Sequence, residues 1–312
     1  MTRKQVVHSG LILVALATFA MAFKGIFARL VYQEGVEVNA LLVWRFILAV
    51  PLFWFGGMFM LRGRDRSRLT WKQWYLCAFT GFLFFISAWC DFHAIEALGA
   101  SISRMVLYLF PAILILIEAL ELRQMPTIRQ LLIFTGAWIG IGMIVLPDWQ
   151  GGELDAVGLA YGLGAALSYA IFWRMSQPIM NAIGSVRFNQ VTNSFTLAAM
   201  AIFLVPTLEP AQLVLTPVAF GWMSLLVIFS TVVPFFILFE GISRSNSVEA
   251  GVVAMFGPVV TVVVALAVFP DEALSLVQWA GIIVVLVSVG VLKLIKARPA
   301  PVITGTAGPV RT

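Results

Sequence analysis

Apolar stretches of roughly 18–24 residues recur along the chain, separated by short breaks that carry charge, proline or glycine. Ten fall near residues 9–32, 39–61, 72–94, 99–121, 128–147, 156–177, 186–206, 217–241, 247–269 and 275–296. At about 1.5 Å per residue, each is long enough to cross a ~30 Å hydrocarbon core as a helix. Strands of a membrane barrel would be shorter and would alternate polar with apolar positions, which these stretches do not. The pattern predicts an all-α integral membrane protein with ten transmembrane helices. The first stretch follows Arg3 and Lys4, as the core of a signal peptide would. It is longer than such a core and carries Lys24 and Arg29, so it is expected to stay as the first span.

Composition agrees. Of 312 residues, 61% are hydrophobic and 11% charged, far from the near-half apolar, quarter charged make-up of soluble domains. The net charge of +5 does not point to nucleic acid, because the basic residues gather in alternate breaks. One set of breaks holds Arg3 and Lys4, then Arg62 to Lys72, Arg123 and Arg129, Arg174 and Arg187, Arg244, and Lys293 to Arg298. The other holds Glu34 and Glu37, Glu96, Asp148 to Asp155, Glu209, and Asp271 with Glu272. The positive-inside rule puts the basic set and both termini in the cytoplasm, as an even number of spans requires. Trp71, Trp74, Trp149 and Trp279 fall where interfacial tryptophans belong. Cys77 and Cys90, thirteen positions apart on one predicted helix, stand roughly 20 Å from each other and cannot pair.

The chain also resembles itself. Residues 103–146 parallel 250–292, with Pro111 over Pro258 and Gln130 close to Gln278. Upstream, FHAIEALGAS (92–101) parallels FEGISRSNSV (239–248). Each copy holds five spans, and an odd number reverses the chain across the membrane, so the copies are expected to be inverted. The expected organisation is a first repeat at 1–148, a second at 149–296 and a disordered cytoplasmic tail at 297–312. Inverted repeats are common in secondary transporters, whose sites lie near the midplane between the halves.

Several segments together carry a family resemblance. They are LLVWRFILA around Arg45, HAIEALGASISRMVLYLFP, STVVPFFILFEGISRSNSVEAGVVAMFGP, and the E-x-L-x-x-x-Q-x-x-G pattern from Glu272 to Gly281. In this order they resemble the EamA group of the drug/metabolite transporter superfamily over nearly the whole chain. The first copy departs in having Gln124 roughly where the second has Glu272, with Glu118 and Glu121 earlier. The resemblance implies a ten-helix transporter of small metabolites in the bacterial inner membrane, often an exporter. It also implies that spans 1–4 and 6–9 surround a central cavity, with spans 5 and 10 as peripheral supports.

The polar residues inside the spans carry the candidate chemistry. Cys90, Asp91 and His93 invite a metal reading, but Asp91 points about 100° away from Cys90 on a helix, and His8 is expected on the opposite side of the bilayer. No metal, cofactor or catalytic residue is expected. Lys24, Arg45, Asp91 and Arg104 come from spans 1 to 4 and lie roughly 6–12 Å inside the acidic end. Charges at such depth face a bundle interior or a wet cavity, since lipid exposure costs about 2.5–3.5 kcal/mol or more near the centre. Asp91 can form an ion pair with Arg45 or Arg104 that ties helices together, or act in a gate. Lys24, Arg45 and Arg104 are the expected substrate ligands, with Tyr108, Trp89 and Trp173 as stacking partners. Tyr161 and Tyr169 are further aromatic candidates, and packing is the alternative for each.

In the second half, Arg174, Asn189, Gln190, Asn193, Glu240 and Glu249 lie toward the basic end, as inversion requires. Glu240 and Glu249 can pair with Arg174, Arg187 or Arg244 as an inner gate, or simply solvate helix ends. Asp91 or Glu240 would serve a proton-coupled cycle. Pro111, Pro234 and Pro258 are expected to kink spans 4, 8 and 9.

The leading expectation is a monomeric or homodimeric secondary-active transporter, not an enzyme, exporting an amino acid or organic acid by alternating access. Uptake or exchange of a phosphorylated or nucleotide-like metabolite is the alternative. A lipid flippase is a further one, and a lipid-modifying membrane enzyme would need converging catalytic groups that the sequence does not show.

Overall fold

The computed structural model describes residues 3–61, 68–148, 155–260, 263 and 275–292. Every regular element among them is helical. Eight helical segments are long and apolar enough to cross a membrane: Gln5–Gln33, Val38–Met60, Trp71–Leu98, Ile102–Leu122, Ile128–Val145, Ala156–Ile183, Ser185–Thr207 and Pro217–Arg244. The shorter apolar segments Ser247–Val260 and Leu276–Val291 bring the set to ten, numbered here as spans 1 to 10 in chain order. Span 6 runs past its expected end, through Pro178 to Ile183. The expected tail at 297–312, Glu272, Trp149 and the arginines at 62, 64 and 66 lie outside the described residues.

Several spans start on side-chain caps. Thr70 and Thr127 each accept from the backbone N–H of a glutamine three residues on, and that glutamine accepts in return from the threonine's own N–H. Asp155 caps span 6 and Thr216 caps span 8. Thr127 with Gln130 opens span 5, and Ser275 with Gln278 opens span 10 by the same three bonds. Each cap satisfies N–H groups that a helix start leaves orphaned. The matched pair also gives the internal repeat a physical counterpart.

Packing follows the repeat. Span 1 lies along span 8, and span 3 along span 6; exchanging the two halves of the chain turns one pair into the other. Spans 2 and 7, 4 and 9, and 5 and 10 pack as pairs that map onto themselves. The crossings are close because glycine permits it, as in membrane interfaces generally. A Cβ at Gly10 would stand 2.8 Å from the Gly241 carbonyl oxygen, and one at Gly241 would stand 2.8 Å from that of Gly10. Gly140 and Gly281 approach in the same reciprocal way between spans 5 and 10. Where span 6 meets spans 3 and 4, Gly158 faces Ala97 and Leu98, while Gly162 faces Val106 and Ala94.

The sequence places a short turn at Glu96–Gly99. Helical hydrogen bonding runs almost without a gap from Trp71 to Leu107. A straight helix would hold Asp91 and Arg104 roughly 20 Å apart, yet their side chains meet at 3.2 Å. Ala94 and Val106 likewise flank one residue, Gly162. The chain therefore doubles back between Leu98 and Ile102, beside that expected turn, and spans 3 and 4 are antiparallel.

Among the described residues, four spans are interrupted midway. Span 1 breaks at Phe23 and resumes at Lys24, span 4 breaks at Tyr108–Leu109, and span 9 at Met255–Phe256. Span 8 passes through a π-helical turn at Ile228–Val232. The prolines explain three of these. Pro111 sits at the first turn of the resumed helix, where a missing N–H costs nothing, and Pro234 follows directly on the π-turn. Pro258 follows the span 9 break in the same way. Pro111 and Pro258 mark restarts, while Pro234 falls inside span 8, which stays helical from Pro217 to Arg244. The interruptions meet at one level: Gly257 lies against Tyr108 and Thr18, Phe256, Phe23 and Ile26 pack around Ala22 and Val260, and Ser230 donates to the Ala20 carbonyl.

Candidate functional site

The charged residues of spans 1 to 4 converge on this interrupted level. Lys24 opens the second half of span 1 and lies within electrostatic reach of Arg45, Arg104 and Asp91. Arg45, only 5% exposed, donates from Nε to Thr231 Oγ1 at 2.9 Å. Thr231 belongs to the π-turn, which is why a hydroxyl on span 8 can reach a guanidinium on span 2. The guanidinium carbon lies 5.5 Å from the Phe46 ring centroid and 5.9 Å from that of Phe235. Such contacts stabilise a cation removed from water.

Asp91 pairs with Arg104, the second of its two sequence partners. Asp91 Oδ2 takes the Arg104 Nη2 contact, while Oδ1 is buried without a protein hydrogen-bond partner among the described residues. Lys24 makes no ion pair among the described residues. The phenols of Tyr32, Tyr108 and Tyr169 sit within reach of the same charges. Three cations thus face one carboxylate, with tyrosine hydroxyls around them.

The expected aromatic partners divide. Tyr108 joins the charged level, its hydroxyl against Gly257. Trp173 is fully buried beside it, its ring 5.4 Å from Phe110 and 5.7 Å from Tyr169. Trp89 instead packs on His93 and edge-on against Tyr161 between spans 3 and 6, with ring separations of 4.5 and 5.5 Å. His93 Nδ1 is engaged by the Trp89 carbonyl at 3.0 Å, and Cys90 packs on Gly164.

Polar groups also tie the basic end together. Glu240 pairs with Arg244 on its own helix and accepts from the Ser185 hydroxyl of span 7. Arg174 pairs with Glu121 of span 4 rather than with either second-half glutamate. Glu249 forms no ion pair among the described residues, and Glu118 accepts from Asn246. Gln177 donates to the Ser245 carbonyl and accepts from the Ser247 N–H, fastening span 6 to the link between spans 8 and 9. Asn189 and Asn193 bond each other one turn apart within span 7. Sequence reasoning missed Thr231, Tyr32 and Gln177. Only Gln177 had a signal, as an amide inside an apolar span.

The sequence model of the EamA-like transporter family matches residues 8–146 and again 156–294. The chain belongs to the EamA-like transporter family. It is 28% identical over 281 residues to the Uncharacterized transporter YcbK of Bacillus subtilis (strain 168), covering 88% of this chain and 89% of that protein. A solved crystal structure superposes with a TM-score of 0.72, over 92% of this chain and 98% of the other. At 16% identity it speaks for the fold alone. The EamA family lies within the drug/metabolite transporter superfamily, so this is a multi-pass membrane transporter and not an enzyme.

Proposed function

We propose that the protein is a secondary-active transporter that exports a small carboxylate-bearing metabolite, an amino acid or organic acid, across the bacterial inner membrane by alternating access. The observation that carries this reading is the surplus of positive charge at the interrupted level: Lys24, Arg45 and Arg104 against the single carboxylate of Asp91. Burying an uncompensated cation is costly, so a substrate anion is the natural completion of the cluster. Arg45 is anchored by Thr231 and Arg104 is engaged by Asp91, which leaves Lys24 as the principal substrate ligand. Tyr108 and Trp173 contribute aromatic walls. Interrupted helices at mid-depth free backbone groups for a substrate, as in other inverted-repeat transporters.

Alternating access assigns the two ends different tasks. Lys24, Arg45, Asp91 and Arg104 form the outer gate, and both termini are cytoplasmic. The inner gate is the set of contacts at the basic end, with Glu240 to Ser185 and Arg244 and Gln177 to the 245–247 link. An inward-open form must break several of them together. Asp91, with one oxygen unsatisfied, and Glu240 are the carboxylates for proton coupling.

The test is counterflow into proteoliposomes preloaded with a carboxylate substrate. Amino acids or organic acids compete for the route in this reading. If sugar phosphates compete and carboxylates do not, the substrate is a phosphorylated metabolite and the proposal fails.

A further inference from the structure

A cleft lies away from the charged level, at the end of the bundle that carries the basic breaks. It opens between spans 2, 3 and 7 with a volume of about 420 Å³, within the range of ligand-sized pockets. Arg68 and Arg187 line it, and neither makes an ion pair among the described residues. Trp54 and Trp74 form its rim and stay 44% and 40% exposed.

The walls are fixed by contacts of their own. Trp54 Nε1 donates to Ser194 Oγ at 3.0 Å, and Trp74 meets Phe195 edge-on. Gln190, buried at the floor, donates to the carbonyls of Phe53 and Trp54. Gly57 makes room for that amide, since a Cβ there would stand 2.1 Å from Gln190 Nε2. The cleft thus has two cations free of protein carboxylates among the described residues, polar groups at its floor and aromatic edges at its mouth.

We propose that this cleft binds the headgroup of an anionic phospholipid of the leaflet facing the basic end. Two arginines complement one phosphodiester, and arginine suits phosphate through bidentate hydrogen bonding. Tryptophans at the rim match the depth of lipid headgroups. The surface beyond the cleft selects a lipid over a soluble anion. From Trp74 toward the middle of span 3 the edge facing span 7 continues with exposed Phe82, which packs on exposed Phe203, a path for an acyl chain. Basic pockets between transmembrane helices are a recognised way of holding acidic headgroups. The site is separate from the transport route, and its bound lipid would brace span 7 against the hairpin of spans 2 and 3.

Native mass spectrometry of the purified full chain tests this with phosphatidylglycerol and phosphatidylcholine added in parallel. The wild type is expected to retain phosphatidylglycerol preferentially. An arginine near a charged membrane surface is worth about fivefold in affinity, so Arg68→Gln with Arg187→Gln should weaken retention about thirtyfold. Arg129→Gln, another exposed arginine at the same end, should change nothing. Equal retention of the two lipids, or an unchanged double variant, overturns the proposal. Displacement by soluble glycerol phosphate at concentrations comparable to those of the lipid also overturns it, since the site would then be one for a free phosphate ester. A readout in the wild type guards against a misfolded variant: brominated phosphatidylglycerol should quench tryptophan fluorescence more than brominated phosphatidylcholine. Equal quenching contradicts the site.

Discussion

The crossing of spans 1 and 8 gives a sharp stability test. At Gly241 an added Cβ would lie 2.8 Å from the Gly10 carbonyl oxygen, 2.9 Å from the Val14 backbone nitrogen and 2.9 Å from a Val14 methyl. Two of these three neighbours are backbone, so no side-chain rotation relieves the clash. Ordinary carbon contacts are about 3.5–4.0 Å, and Gly241→Ala must therefore push the helices apart by roughly half an ångström or more. A gap of that size forfeits a quarter to a half of each contact along the seam. Overpacking of this kind costs about 1–3 kcal/mol. Alanine also favours helix over glycine by about 1 kcal/mol, and Gly221→Ala isolates that gain because nothing lies within 4 Å of its Cβ. The two variants should differ by about 1–3 kcal/mol, with Gly241→Ala the less stable. Thermal unfolding of the purified proteins in one detergent, followed by circular dichroism, measures the difference. Equal stability would refute the close crossing.

Three further outcomes are expected. Lys24→Ala should abolish the stabilisation of the protein by a transported carboxylate in a thermal-shift assay while leaving the ligand-free melting temperature within a few degrees. Thr231→Val removes the acceptor of the Arg45 Nε bond and leaves a buried charged donor unpaired, a loss of about 1–3 kcal/mol; chemical or thermal denaturation would report it, and Thr231→Ser should restore most of it. A double-mutant cycle of Asp91→Asn and Arg104→Gln should give a coupling energy of about 0.5–3 kcal/mol, because the two side chains touch; additive effects would mean that the pair does not persist in the membrane.

The spans were legible because a ~30 Å apolar slab imposes one length scale on every helix that crosses it. The repeat was legible because Pro111 and Pro258, and the capping glutamines Gln130 and Gln278, keep matched places in both copies. The depth of Lys24, Arg45, Asp91 and Arg104 followed from counting residues along helices, and these four do converge. Their individual partners did not follow. Arg45 bonds Thr231, 186 positions away, and a threonine in an apolar span carries no mark that distinguishes a ligand from a packed hydroxyl. The π-turn that presents Thr231 was equally hidden, since Pro234 signals an interruption but not its form. The reversal between spans 3 and 4 is legible to within a few residues, since the turn expected at Glu96–Gly99 lies beside the point where the chain doubles back. Trp89 shows the limit of reasoning by depth: it lies two residues from Asp91 but packs with His93 and Tyr161.

Flux in proteoliposomes tests the transport reading most directly. Labelled carboxylates and their neutral amides are offered to vesicles containing the purified protein, with and without a pH gradient. Saturable movement of a carboxylate, absent for its amide and lost in Lys24→Ala, is the expected result. Equal movement of acid and amide, unaffected by removing Lys24, would contradict a substrate anion completing the cluster of Lys24, Arg45 and Arg104.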